Sequence, residues 1–161
     1  MSKMFDLTGK NALVTGSSQG IGFGLARGLA EAGARVIING RDPAKLATAQ
    51  QRLRDLGIET TACAFDVTDP KAVEAGFTEI ENRCGQLDIL VANAGIMRRM
   101  PAVEMPPETW REVLGTNLDG VWYCCQGGGT FSEVGYVGSL QHLVNAGRIV
   151  QTQVSIARLF K

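Results

Sequence analysis

Gly16, Gly20 and Gly22 stand in the run Thr15-Gly16-Ser17-Ser18-Gln19-Gly20-Ile21-Gly22, a G-x-x-x-G-x-G spacing. Glycine lets a backbone turn tightly and approach a ligand closely. A helix that starts there offers an anion its unpaired N–H groups and the positive end of its dipole. The chemistry implied is the holding of a pyrophosphate, as in a dinucleotide. A plain glycine turn has the same residue types, and context separates the two: a strand before the run and a helix after it. Ala12-Leu13-Val14 is a short apolar run ahead of the glycines. Behind them, Ile21, Leu25, Leu29 and Ala32 recur at helical spacing, which predicts one apolar face over 21–32, with Gly33 as the stop.

The same alternation continues. Val36-Ile37-Ile38 reads as a second strand, and Asp42 with Pro43 starts a helix whose apolar face is Leu46, Ala49, Leu53 and Leu56, up to Gly57. Thr60 to Phe65 reads as a third strand ending at Asp66. Asp69-Pro70 then opens a helix with Val73, Phe77 and Ile80 on one face, and Leu87 to Val91 reads as a fourth strand. Pro106-Pro107 precedes a helix containing Trp110, Val113 and Leu114. Strands alternating with crossover helices predict an α/β chain with a doubly wound parallel sheet in a three-layer αβα sandwich, a Rossmann-like arrangement.

Composition narrows the function classes. The 161 residues carry no net charge, with 45% apolar and 20% charged side chains, which fits one globular domain and gives no electrostatic grip on nucleic acid or membrane. No apolar run approaches the roughly 18 residues of a membrane span, and residues 1–6 lack a signal-peptide stretch. A cytoplasmic location is expected. Cys63, Cys84, Cys124 and Cys125 form no C-x-x-C, and His142 is the single histidine. No metal site is expected, and the thiols are read as small apolar side chains.

In chain order, TGSSQGIG, FDVTD, ANAG and a TN ahead of an apolar helix resemble the short-chain dehydrogenase/reductase family over residues 6–126. The closer likeness is to its gluconate 5-dehydrogenase-like branch, on Asn39-Gly40-Arg41-Asp42-Pro43 and Ala94-Gly95-Ile96-Met97-Arg98-Arg99. The resemblance implies an NAD(P)-dependent oxidoreductase acting on an alcohol or ketone, such as a sugar acid, and a homo-oligomer in full-length members. Its cofactor residues would be Gly16, Ser17, Ser18, Gln19, Gly20, Ile21 and Gly22 at the pyrophosphate. Asp66 and Val67 would lie at the adenine, although Asp66 also reads as a strand-end cap. Asn93, Ala94 and Gly95 would border the cofactor, with Ala92 where the family usually has Asn. Asn117 matches the family's relay asparagine and also reads as a helix N-cap. The family's NAD-type acid falls at position 40, which is Gly here, and Arg41 follows. A guanidinium there clamps a 2′-phosphate, so NADP is favoured over NAD, unless Arg41 pairs with Asp42 or with solvent. Arg98-Arg99 reads either as a contact to an acidic sugar or as a solvated loop.

The family's proton chemistry needs a Tyr with Lys four residues on, and a Ser. Four after Tyr123 is Gly127 and four after Tyr136 is Leu140, so no Tyr-x-x-x-Lys occurs. The alternative is therefore a non-catalytic dinucleotide-binding fragment or failed gene product. Texture also changes after Gln126: only Glu133 is acidic beyond it, and all prolines lie before 108. Residues 1–126 are read as an incomplete NAD(P)-binding domain whose sheet stops after its fourth strand, leaving 87–91 an open edge. Residues 127–161 are an atypical tail in which 149–156 reads as a strand. A shifted reading frame accounts for that tail: moved by one base, the codons open to 141–146 permit Asn-Thr-Ser-Ser-Met, a family-like string.

Overall fold

The computed structural model describes residues 6–128, together with the backbone of two strands at 135–139 and 154–157. Strand β1 (Asn11–Val14) leads through the glycine run into α1 (Gly20–Glu31). Then come β2 (Arg35–Gly40), α2 (Pro43–Arg54), β3 (Thr60–Ala64), α3 (Pro70–Cys84) and β4 (Ile89–Ala92). A helical stretch follows as α4 (Pro107–Leu114), a π-helical segment Gly115–Asp119 and α5 (Gly120–Gly128). The sheet is completed by β5 (Gly135–Ser139) and β6 (Val154–Ala157), in the order β3-β2-β1-β4-β5-β6.

Side-chain alternation along the strands builds both faces of this sandwich. Ala12, Val14, Val36 and Ile38 point to one face, where they bury Ala26 of α1 and Leu46, Ala49 and Leu53 of α2. Leu13, Ile37 and Leu90 point to the other, against Val73, Phe77 and Ile80 of α3 and Cys124 of α5. Central strands covered on both sides explain the continuous apolar runs. Cys63, Cys84, Cys124 and Cys125 form no disulfide. Burial pushes the Cys63 and Cys124 thiols up to about 12, the former helped by the Glu79 carboxylate, so both stay protonated at neutral pH.

Two expectations change. The inner face of α1 is Gly22 and Ala26, while Ile21 is 63% and Leu25 41% exposed. The helix lies so close to the sheet that Gly22 and Ala26 form its buried centre; of the predicted face Ile21 and Leu25 turn outward, while Leu29 stays half-buried and packs against the core, as Phe23 does. The sheet also continues past its fourth strand: β5 pairs with β4 in parallel, Leu90 opposite Tyr136, and β6 pairs antiparallel with β5. The edge at 87–91 is thus covered. Gly-Tyr-Val-Gly-Ser lacks the β-branched run that declares a strand, so the sequence pattern hides this one. Of the strand read at 149–156, residues 154–156 lie in β6 and the rest lie outside the described residues, as does His142.

Candidate functional site

The order β3-β2-β1-β4 reverses direction between β1 and β4, and a cleft of about 470 Å³ opens at the carboxyl ends of these strands. Open parallel sheets bind ligands at this switch point. Its walls include Gly16, Ser18, Gln19, Gly20, Ile21 and Gly22 from the glycine run, Gly40 and Arg41 after β2, and Asp66 and Val67 after β3. Asn93, Ala94, Gly95 and Asn117 complete them. Almost every residue singled out in the sequence therefore converges on one cavity.

The glycine run is shaped by close approaches. Gly16 has φ 63°, and a Cβ there would lie 2.7 Å from the Ala94 Cα. A Cβ on Gly22 would collide with the Gly16 carbonyl and meet the Asn93 Nδ2 at 2.5 Å. Neither position accepts a side chain without moving backbone. The loop is also tied across the switch point. Thr15 Oγ1 accepts hydrogen bonds from the Asn93 and Ala94 N–H groups, both at 3.0 Å, and Asn93 Nδ2 donates to the Thr15 carbonyl at 3.0 Å. Asn93 thus fixes the loop with its side chain. Gln19, the residue before α1, makes no side-chain cap, and the first turn holds no acid. The leading N–H groups of α1 face the cleft without an acidic partner, as an anion requires.

Ser17 departs from the expectation. It is fully buried, and its hydroxyl donates to the Val14 carbonyl at 2.7 Å and accepts from the Asn39 N–H at 2.9 Å. It does not line the cleft; its side chain is spent holding the loop to β2.

At the other end of the cleft, Arg41 is 68% exposed and its guanidinium lies 3.9 Å from the Asp66 carboxylate. Asp42 is engaged elsewhere: it caps α2, accepting from the Ala44 and Lys45 N–H groups at 2.9 and 3.2 Å. Asp66 does cap a turn, accepting from the Thr68 N–H and hydroxyl, and it lines the cleft as well. Lys45, in the first turn of α2, is a second cation on this wall. The sequence reading missed it, because Arg41 lies before the Asp42 cap and no helical spacing links the two.

Asn117 is no helix N-cap. It sits inside the π-helical segment, flanked by helical backbone at Leu114 and Gly120. Its side chain accepts from the Ile96 N–H at 2.8 Å and donates to the Ile96 carbonyl at 2.9 Å, which pins the strand-end segment 93–97 to the helix. A single π turn inside a longer helix is a device that re-aims one side chain, and it recurs at functional sites. Arg98 turns away to pair with Glu112 at 2.6 Å. Among the described residues no cluster of His, Cys, Asp or Glu could hold a metal, and no helix is long and apolar enough to cross a membrane.

Comparison with known proteins agrees with this geometry. The family model for short chain dehydrogenase matches residues 10–157, which extends past Gln126. The gluconate 5-dehydrogenase of Gluconobacter oxydans (strain 621H) is 44% identical over 123 residues, covering 76% of this chain and 48% of that protein. The 5-keto-D-gluconate 5-reductase of Escherichia coli (strain K12) is 42% identical over 126 residues, covering 78% of this chain and 50% of its own length. The chain spans about half the length of the curated relatives it matches. Among solved structures, a gluconate 5-dehydrogenase from Burkholderia cenocepacia J2315, in complex with NADP and tartrate, superposes with a TM-score of 0.74 at 47% identity. That match covers 78% of this chain and 49% of the other. With the glycine loop, the switch-point cleft and a family match over most of its length, the chain belongs to the short chain dehydrogenase family.

Proposed function

We propose that this chain binds NADP(H) at the switch point, as the cofactor half of an oxidoreductase acting on the CH–OH group of a sugar acid of the gluconate class. The observation that carries the reading is the adenosine end of the cleft. Glycine ends β2, Arg41 and Lys45 line the wall beyond it, Asp42 is committed to capping α2, and Asp66 is held by its Thr68 turn and faces the Arg41 guanidinium. A 2′-phosphate meets two cations there, and the position after β2 that would offer a ribose hydroxyl a carboxylate is Gly40. The close-packed glycines and the uncapped start of α1 fit a pyrophosphate, since Gly16, Gly20 and Gly22 put no side chain of their own in its way.

In this reading Ser18 to Gly22 surround the pyrophosphate, Asp66 and Val67 border the adenine, and Asn93 to Gly95 form the floor toward the nicotinamide. Asn117 holds the floor through Ile96. Bound nicotinamide supplies or accepts the hydride. The protein's part is to orient that ring and exclude water from it. Proton transfer at the alcohol needs a Tyr-x-x-x-Lys pair that these 161 residues lack, so this stretch binds cofactor and does not turn over substrate by itself. Titration with NADPH and NADH, followed by turnover assays on 5-keto-gluconate, tests both statements. NADPH binding without turnover is expected. Equal affinity for the two cofactors would remove the NADP assignment, and turnover would remove the second claim.

We also propose a cytoplasmic location, a small-molecule substrate and homo-oligomeric assembly of the whole enzyme, as extensions of the family reading. The shifted reading frame after Gln126 stands as a proposal too. Coding DNA whose alternative frame is closed by stop codons between Gly127 and Lys161 would end it.

A further inference from the structure

We infer that Asn39 is a positioning residue that sets the spacing between the two ends of the cleft, so that a dinucleotide engages both at once. The inference rests on the NADP reading above. Asn39 is 1% exposed, near the end of β2, and pairs in register with Cys63 of β3. Its side chain reaches two different segments. Oδ1 accepts from the Gly16 N–H at 3.4 Å, and Nδ2 donates to the carbonyls of Cys63 at 3.1 Å and Phe65 at 3.2 Å. Its backbone is bound to the glycine run as well: the carbonyl accepts from the Ser17 N–H at 2.8 Å, and the N–H donates to the Ser17 hydroxyl.

One buried amide therefore joins the pyrophosphate loop on one side to the β3 end that carries Asp66 and Val67 on the other. Its own chain continues directly into Gly40 and Arg41. The residue type follows from the need. Two carbonyls on one side require two donors and the Gly16 N–H requires an acceptor, a set that Asn supplies and Asp, Ser or Leu does not. Neighbouring Ile37 and Ile38 show that the strand itself accepts apolar side chains at buried positions. A buried amide costs more to place than an aliphatic side chain unless every bond is made.

A dinucleotide is two binding groups on a tether of fixed length. Its affinity exceeds that of either half only while the two subsites keep the matching distance. Loosening the tie between them should weaken the whole ligand far more than its parts. This separates a spacing role from general support of the fold, which would weaken all ligands together.

The test is calorimetric titration of the full chain and of Asn39→Ala with NADP, 2′,5′-ADP and inorganic pyrophosphate, alongside a thermal melt of each protein. Asn39→Ala should bind NADP about 20-fold more weakly while 2′,5′-ADP and pyrophosphate change by less than about 3-fold. Ser17→Ala cuts a second tie between the loop and β2, the bond from the Asn39 backbone N–H to the Ser17 hydroxyl, without emptying the strand. It should shift NADP alone, by a smaller factor. If wild type binds NADP and the variants lose all three ligands in equal proportion, or none, the inference falls while the functional reading stands. If wild type takes none of the three, the functional reading falls and this inference with it. If neither variant gives a cooperative melt, Asn39 is a plain structural residue and the inference is overturned.

Discussion

Three helices leave the carboxyl edge of the sheet after β1, β2 and β3, and they begin in two different ways. α2 and α3 are closed by the same local device, an Asp whose carboxylate accepts two N–H groups of the first turn, followed by Pro. α1 begins on Gln19 with no side-chain cap and a first turn of Gly20-Ile21-Gly22-Phe23. Leaving a cap out costs about 1 kcal/mol. Three of the four buried polar residues among the described residues, Thr15, Ser17 and Asn39, lie around the uncapped end; the fourth, Asn11, starts β1. A closed helix end is secured by its own neighbours in sequence. The open one is secured from a distance, by Asn93 and Asn39, which leaves its N–H groups for a ligand.

The hardest way to break this contrast is to fill the loop. Gly22→Ala places a methyl against the Gly16 carbonyl and Asn93 Nδ2, so loop and floor must part. NADPH affinity should fall at least about 100-fold, or about 2.7 kcal/mol. Gly24, one residue pair further along α1, has open space around it. Gly24→Ala should leave affinity unchanged and raise stability by about 0.5–1 kcal/mol, since alanine suits a helix better. Fluorescence titration and thermal melts read both variants. Equal behaviour of the two would mean that the loop's close packing does not serve binding.

At the far end of the cleft, Arg41→Ala should weaken NADPH about 20-fold and NADH less than about 2-fold, because only the former carries the phosphate that a guanidinium clamps. Parallel losses for both cofactors, measured by the same titration, would mean that Arg41 serves only the Asp66 turn.

The difference between closed and open ends also sets what the sequence discloses. Asp42-Pro43 and Asp69-Pro70 were legible because every partner lies within three residues. Gly16, Gly20 and Gly22 were legible because their spacing is local. Asn39 and Lys45 were not, since their reach depends on the pairing of β2 with β3 and on the turn of α2 toward the cleft. The inner face of α1 was misread for a related reason. Periodicity ranks residues by size, and a helix that packs tightly on a sheet selects Gly22 and Ala26 instead. Ser17 was assigned to the ligand by its place in the run, yet its hydroxyl turns inward to the Val14 carbonyl and the Asn39 N–H. The π segment around Asn117 leaves no trace in residue type, because it is a change of helix winding without a breaker residue.

A milder way to sharpen the contrast is to close the open end. Gln19 already has the extended backbone of an N-cap, at φ −162° and ψ 175°. Gln19→Asp should therefore cap α1 as Asp42 and Asp69 cap α2 and α3. Apo stability should rise by about 0.5–1 kcal/mol while NADPH binds about 10-fold more weakly, since the new carboxylate takes the N–H groups and repels the pyrophosphate. Repulsion between exposed charges is screened, so part of the loss should be recovered at about 1 M salt. A gain in both stability and affinity would show that the open end of α1 is not where the anion sits.

The smallest effect tests the other side. Asp69 caps α3 through the Lys71 and Ala72 N–H groups at 2.9 and 3.3 Å, and it takes no part in the cleft wall. Asp69→Ala should cost about 1 kcal/mol of stability in a denaturant melt and leave NADPH affinity within about 2-fold of wild type. The cap bonds are exposed and local, so their loss frays one turn of α3 and leaves Val73 and Phe77 in the core. That turn lies beyond the Asp66–Thr68 bonds, which keep Asp66 and Val67 in place at the cleft independently of α3. A change of more than about 10-fold in NADPH affinity would show that the closed ends position the ligand too, and the division between scaffold helices and a ligand helix would not hold.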